Sequence, residues 1–140
     1  MEESFTLVAL NERGVARSIE IELRDPPAVA MVMAVDGGPS LEFQAEDLFV
    51  CLMNARLRLE EDGFLLCCQG ARPDVFPSGL LQQETGGRYA YVLTDEADEA
   101  GRPTVDIFAP ADISEVATVA DQRAAVMRFY GLPDRASEQP

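Results

Sequence analysis

Between residues 17 and 24 the chain alternates strictly: Ile19, Ile21 and Leu23 are apolar, while Ser18, Glu20, Glu22 and Arg24 are polar. A period of two sends the two sets to opposite faces of a half-buried strand. The turn-forming NERG separates this strand from SFTLVAL at 4–10, and Asp25-Pro26-Pro27 ends it. AVAMVMAV at 28–35 is apolar throughout, the pattern of a central strand covered on both faces. Asp36-Gly37-Gly38-Pro39 turns the chain again, and LEFQ at 41–44 is either a fourth strand or the lead-in to the next element. The opening third therefore predicts an antiparallel meander.

From Ala45 the period changes. Leu48, Leu52, Ala55 and Leu59 recur at helical spacing, Phe49 and Met53 widen the stripe, Glu46 and Asp47 occupy the first turn, and Gly63 supplies the stop. The spacing predicts a helix over about 45–61. FLLCC at 64–68 reads as a buried strand, LLQQET as one helical turn before Gly86-Gly87, and RYAYVLT at 88–94 and TVDIF at 104–108 as further strands. Asp106 alternates with Val105 and Ile107 and is expected to face solvent. A second long helix is expected over 119–130, opened by Thr118 with Asp121 three residues on and stopped by Gly131 before Pro133. The fold class is α+β: an antiparallel or mixed sheet of about six strands with two main helices packed on it. One domain is expected over 1–133, followed by a flexible tail at 134–140.

A chain of 140 residues can bury a core without metal or disulfide staples, and 47% hydrophobic with 26% charged residues is ordinary for a folded domain. Charge changes the picture. Twenty-five acidic residues face eleven basic ones, all arginine, for a net charge of −14. Such a field repels nucleic acid and anionic membrane and accelerates encounter with a basic partner. Without histidine or lysine, the commonest general base, the commonest zinc ligand and every Schiff-base or P-loop mechanism are excluded. Cys67 and Cys68, adjacent in an apolar run, read as small buried hydrophobes. Met1-Glu2-Glu3 is acidic where a secretory signal is basic, and no apolar run reaches membrane-spanning length, so a cytoplasmic location is expected. No catalytic residue, metal or cofactor is expected.

The densest local pattern is QGARPDVFPSGLL at 69–81. Pro73 and Pro77 push Arg72 and Phe76 toward extended backbone, and Phe76-Pro77-Ser78-Gly79 fits a type I turn. A stiff loop of this kind holds Arg72, Asp74 and Ser78 in fixed positions, which makes them candidate binding residues. Alternatively Arg72 and Asp74 pair with each other or satisfy turn backbone groups, and the loop is a hard corner. GARPDVFPSG, with EDLFVCLMNARLRLE before it and GGRYAYVL after it, resembles a family of small uncharacterised bacterial proteins that share a Gly-Ala-Arg-x-Asp-Val-aromatic-Pro-Ser-Gly loop. Leu80 and Glu84-Thr85 stand here in place of a methionine and a more glycine-rich run. In size, acidity and fold class the chain also resembles the single-domain acidic immunity proteins of bacterial toxin systems.

Two acid runs complete the candidates: Glu60-Glu61-Asp62, and Asp95, Glu96, Asp98 and Glu99. Each is either a solvated turn or a contact for a cationic cleft, and neither has EF-hand spacing. The composition and the second resemblance together imply a non-enzymatic acidic protein that occludes a basic protein partner, such as a toxin. The alternative is a small-molecule-binding or enzymatic pocket around Arg72, Asp74 and Ser78, with the arginine clamping an anion through two donors. A third reading, a subunit of a larger assembly, requires an uncovered apolar edge on the meander.

Overall fold

A computed structural model describes residues 3–24, 29–77, 79–94 and 101–132. Strands β1 (Glu3–Leu10), β2 (Ala16–Arg24), β3 (Ala30–Val35) and β4 (Ser40–Gln44) form the expected meander, and β5 (Leu65–Leu66) joins the far side of β1. The sheet order is β4-β3-β2-β1-β5, with every pair antiparallel. Asn11 shapes the first turn, its side chain accepting from the Arg13 and Val15 N–H groups at 2.9 Å each. At the β3–β4 turn Asp36 adopts φ 51°, a left-handed conformation that costs a non-glycine residue roughly 1–2 kcal/mol. Its carboxylate offsets that cost by accepting from Ser18 N–H at 2.8 Å and Arg17 at 3.1 Å.

Helix α1 (Leu48–Glu61) comes next, then β6 (Val75–Phe76), α2 (Gly79–Thr85), β7 (Tyr89–Val92), β8 (Thr104–Asp106) and α3 (Val119–Phe129). Strands β6, β7 and β8 make a second antiparallel sheet in the order β6-β7-β8. Register explains the core. Leu7 lies opposite Ile19, Ile21 opposite Met33 and Leu23 opposite Met31, all buried on one face of the larger sheet. Against that face α1 lays Phe49, Leu52, Ala55 and Leu59, each burial of this kind contributing roughly 1.5–3 kcal/mol for a large side chain. Phe5 stacked on Phe108 at 5.1 Å, and Phe49 edge-on to Phe76 at 5.3 Å, bind the two sheets into one core.

Several expectations shift. Among the described residues there are eight strands in two sheets rather than about six, because LEFQ is a full strand paired with β3 and Val75-Phe76 pairs with β7, while FLLCC yields only Leu65-Leu66 before the chain turns. Asp47 is the N-cap of α1, accepting from Val50 N–H at 2.9 Å, so the helix starts at Leu48 and not at 45. Instead of one turn, Gly79–Thr85 forms a seven-residue helix. Asp106 does not face free solvent, because the Arg88 guanidinium covers it and donates to both of its carboxylate oxygens. The end of the chain matches closely, with the Thr118 hydroxyl accepting from Asp121 N–H at 3.1 Å and Gly131 at φ 69° closing α3. The tail at 134–140 lies outside the described residues.

Candidate functional site

The loop after β5 opens with a 3-10 turn at Gln69–Ala71. Its glycine is a steric requirement, since a Cβ on Gly70 would come within 2.6 Å of Leu52 Cδ2 and 2.9 Å of Ile107 Cβ. Backbone bonds fasten the loop on several sides: Gln69 N–H to Ala109 O, Gly70 N–H to Ile107 O, and Leu93 N–H to Asp74 O.

Its carbonyls are taken by two buried polar side chains that periodicity alone does not mark as polar sites. Arg56, 1% exposed on α1, donates through Nη1 to Gly70 O at 3.2 Å and to Gln122 Oε1 at 2.6 Å, and through Nη2 to Ala117 O at 3.0 Å. Gln122, 2% exposed on α3, directs its Nε2 at Gly70 O, Arg72 O and Val75 O at 2.9, 2.8 and 3.1 Å. The pair ties α1, α3 and the loop together through neutral acceptors, and burial holds the Arg56 pKa below its ordinary value. One signal was visible: Arg56 sits four residues after Leu52 and three before Leu59, on the apolar stripe of α1.

Of the predicted binding residues, the structure brings Arg72 and Asp74 together. Arg72 Nε and Nη2 donate to the two oxygens of Asp74 at 3.0 and 2.7 Å, and Nη1 donates to Gln69 Oε1 at 2.8 Å. The Asp74 bond raises the arginine pKa further. The paired donors an anion would use are thus held by Asp74, and an incoming anion has to displace it. Ser78, Asp95, Glu96, Asp98 and Glu99 lie outside the described residues. Within the other acid run, Glu61 and Asp62 meet Arg58 at 3.4 and 3.2 Å. Glu60 turns away from them to accept from Val119 N–H at 3.0 Å, at the start of α3.

A second arginine hub went unanticipated. Arg88 donates through Nε and Nη2 to Asp106 at 2.9 Å each, and through Nη1 and Nη2 to Glu3 at 2.9 and 3.2 Å. Its guanidinium lies 5.0 Å from the Phe5 ring centroid and 5.6 Å from that of Phe108, clamping the start of β1 to the second sheet. All three thiols are buried, and burial pushes each upward, Cys68 to about 12. None is an activated nucleophile. Among the described residues no cluster of three or more potential ligands is poised to hold a metal ion.

Two further surfaces bear on binding. A recess of about 410 Å³ runs between α1 and α3, walled by Met53, Phe76, Val119, Val126 and Met127. Gln122 also borders it, but its amide is committed to backbone carbonyls. The other surface is the outer face of the meander, where Ser4, Thr6, Glu20, Glu22, Val32, Ala34 and Glu42 stand on neighbouring strands. Glu20 and Glu42 are exposed, and no described helix packs on this face.

These features define the class: an α+β domain of a five-stranded and a three-stranded antiparallel sheet with helices packed against them. The chain matches no protein-family model, and no curated protein matches it. No helix among the described residues is long and apolar enough to cross a membrane.

Proposed function

We propose that the protein is a non-enzymatic acidic binding protein of the cytoplasm that neutralises or regulates a basic protein partner by occlusion, most concretely as a toxin immunity protein. The observation that carries this reading is the outer face of the meander, which no described helix covers. It sets Glu20, Glu22 and Glu42 among small and apolar neighbours in a chain of net charge −14. Arg24 meets Glu22 at 3.3 Å, while Glu20 and Glu42 are exposed. Carboxylates on a sheet face steer a cationic surface into register, and the apolar residues between them supply contact area once water leaves. Asp95, Glu96, Asp98 and Glu99 add to the same field, and the Arg72–Asp74 loop is a second contact candidate.

The test begins with tagged protein in a lysate of its native host, at low and moderate salt. A basic protein retained in fixed stoichiometry at moderate salt is the expected result. Its association rate should then fall, and lose part of its salt dependence, with the Glu20→Gln/Glu22→Gln variant. An empty eluate from folded protein, with basic candidates expressed, overturns the reading. An unchanged rate removes the sheet face from it.

A further inference from the structure

The hydrogen-bond register of β4 defines an open edge with a specific chemistry. Ala45 N–H donates to Val29 O, so residues 45 and 29 form a hydrogen-bonded antiparallel pair. The β3–β4 pairing continues without a bulge, Phe43 opposite Met31 and Leu41 opposite Met33. Hydrogen-bonded pairs alternate along an antiparallel ladder, so Leu41 and Phe43 turn their backbone groups toward β3. Ser40, Glu42 and Gln44 therefore turn theirs outward, and β4 is the terminal strand of its sheet.

Side chains add the second half of the pattern. Glu42 stands on the outer face, in one row with Val32 and Glu22. Leu41 and Phe43 stand on the face toward α1, where Phe43 is packed on the core and Leu41 is still 40% exposed. The edge is thus acidic on one face, apolar on the other and, among the described residues, unpaired along its backbone.

We propose that this edge receives an extended segment of the basic partner as a sixth strand, with basic residues alternating with apolar ones. This rests on the basic-partner reading above and names the part of the partner that docks. A lysine or arginine opposite Glu42 completes a cross-strand ion pair, and the apolar residues on either side of it cover Leu41 and extend the core next to Phe43. The same geometry selects against a second copy of this chain. The self-pairing register that forms the most ladder, Ser40 against Gln44, sets Glu42 against Glu42, and like charges directly opposite are destabilising. Glu42 thus guards the edge against its own kind while attracting an opposite charge.

The experiment uses the full chain, isotope-labelled, with an end-blocked peptide of alternating lysine and valine and a glutamate–valine peptide as control. In the free protein, the amides of Ser40, Glu42 and Gln44 should exchange at least about tenfold faster than those of Leu41 and Phe43. The lysine–valine peptide should slow exchange at those three amides, and the glutamate–valine peptide should not. N-methylation at the lysine positions, whose N–H groups face β4, should abolish the effect, while N-methylation at the valine positions leaves it. Glu42→Pro should also abolish it with the fold intact, since the Glu42 N–H is outside the β3–β4 ladder. Glu42→Lys should weaken binding of the lysine–valine peptide on the order of fivefold.

Peptide bound elsewhere, with no protection on β4, overturns the edge while leaving the broader basic-partner reading to the lysate result. Equal binding of both N-methylated peptides overturns strand addition. A concentration-dependent dimer that protects Ser40, Glu42 and Gln44 overturns the assigned occupant. Absence of any binding by the lysine–valine peptide overturns the proposal outright.

Discussion

Removing the Gln122 side chain tests whether the 69–76 loop is held as the geometry implies. Gln122→Ala deletes one charge-assisted bond, from Arg56 at 2.6 Å, and the two N–H donors shared among Gly70 O, Arg72 O and Val75 O. A bond to a charged group contributes about 1.5–3 kcal/mol and a neutral one about 1, so the gross loss is about 4 kcal/mol. Two residues limit the damage. Arg56 still donates to Gly70 O, and Val75 N–H still donates to Arg72 O. Gln122 also borders the recess between α1 and α3, so water can enter the vacated space and satisfy part of what is exposed. The net expectation is about 3 kcal/mol, which lowers the urea midpoint by about 1.5 M for a slope near 2 kcal/mol per M. Arg56→Met should cost less, about 2 kcal/mol, because it relieves a desolvated charge while leaving Ala117 O and Gln122 Oε1 without that donor. The double variant should fall short of the summed costs by about 1–3 kcal/mol. A Gln122→Ala loss below about 1 kcal/mol, or costs additive within about 0.5 kcal/mol, would falsify the coupled arrangement.

Separate features carry three further expectations. A Cβ on Gly87, at φ 81°, would come within 2.8 Å of Asp47 Oδ1 and Phe49 N, so Gly87→Ala should disturb the α1 cap and cost about 2–4 kcal/mol. Gly14, at φ 77° with open space around it, is the control: Gly14→Ala should show only the backbone cost of about 1–2 kcal/mol, and equal thermal shifts for the two would refute the clash. Burial raises the Glu60 pKa, so folding favours its protonated form, and this contribution is present below the unfolded value and lost as pH rises through the folded one. Glu60→Gln keeps an acceptor for Val119 N–H and cannot ionise, so its stability relative to wild type should improve as pH rises above about 4, the ordinary glutamate value; the opposite slope would contradict the assignment. The three thiols should resist an aromatic disulfide reagent in the folded protein and react together on unfolding, whereas native-state labelling of Cys67 or Cys68 would disprove their inertness.

The elements that sequence reveals are those decided by local rules. Alternation from Ile19 to Leu23 predicted β2 and its buried face, because one side of that strand meets the core and the other meets water. Thr118 and Gly131 marked the ends of α3, because capping bonds and a left-handed glycine act within a few residues. Asp47 was misplaced by one role: it is acidic at the helix start, but as the cap that precedes the first turn. The second sheet was hidden because its strand Val75-Phe76 is too short to show a period. Asp106 was assigned to the correct alternation, yet its partner Arg88 lies 18 residues away, just before β7, and nothing local announces it. Arg56 and Gln122 were missed for the same reason at greater range, their bond spanning 66 residues. Within the loop, pairing of Arg72 with Asp74 was one of two readings left open, and the short separation that suggested it is what the structure uses.

The distribution of arginine explains why so acidic a chain leaves its charge outward. Arg72 and Arg88 are each locked to carboxylates with little exposure, Arg56 is buried on carbonyls, and Arg17, Arg24 and Arg58 each answer a nearby acid. Guanidinium suits these roles because its planar fork meets both oxygens of a carboxylate and its flat face stacks on rings, as Arg88 does between Glu3, Asp106 and Phe5; an ammonium has neither the fork nor the face. Basic charge so placed neutralises acids within the fold, and the unmatched acids stand where those arginines do not reach. Glu20 and Glu42 on the outer face of the meander are two of them. The surface field is therefore a product of internal pairing as much as of composition. Reversing Glu42 alters that field at the open edge without touching any ion pair described in the fold.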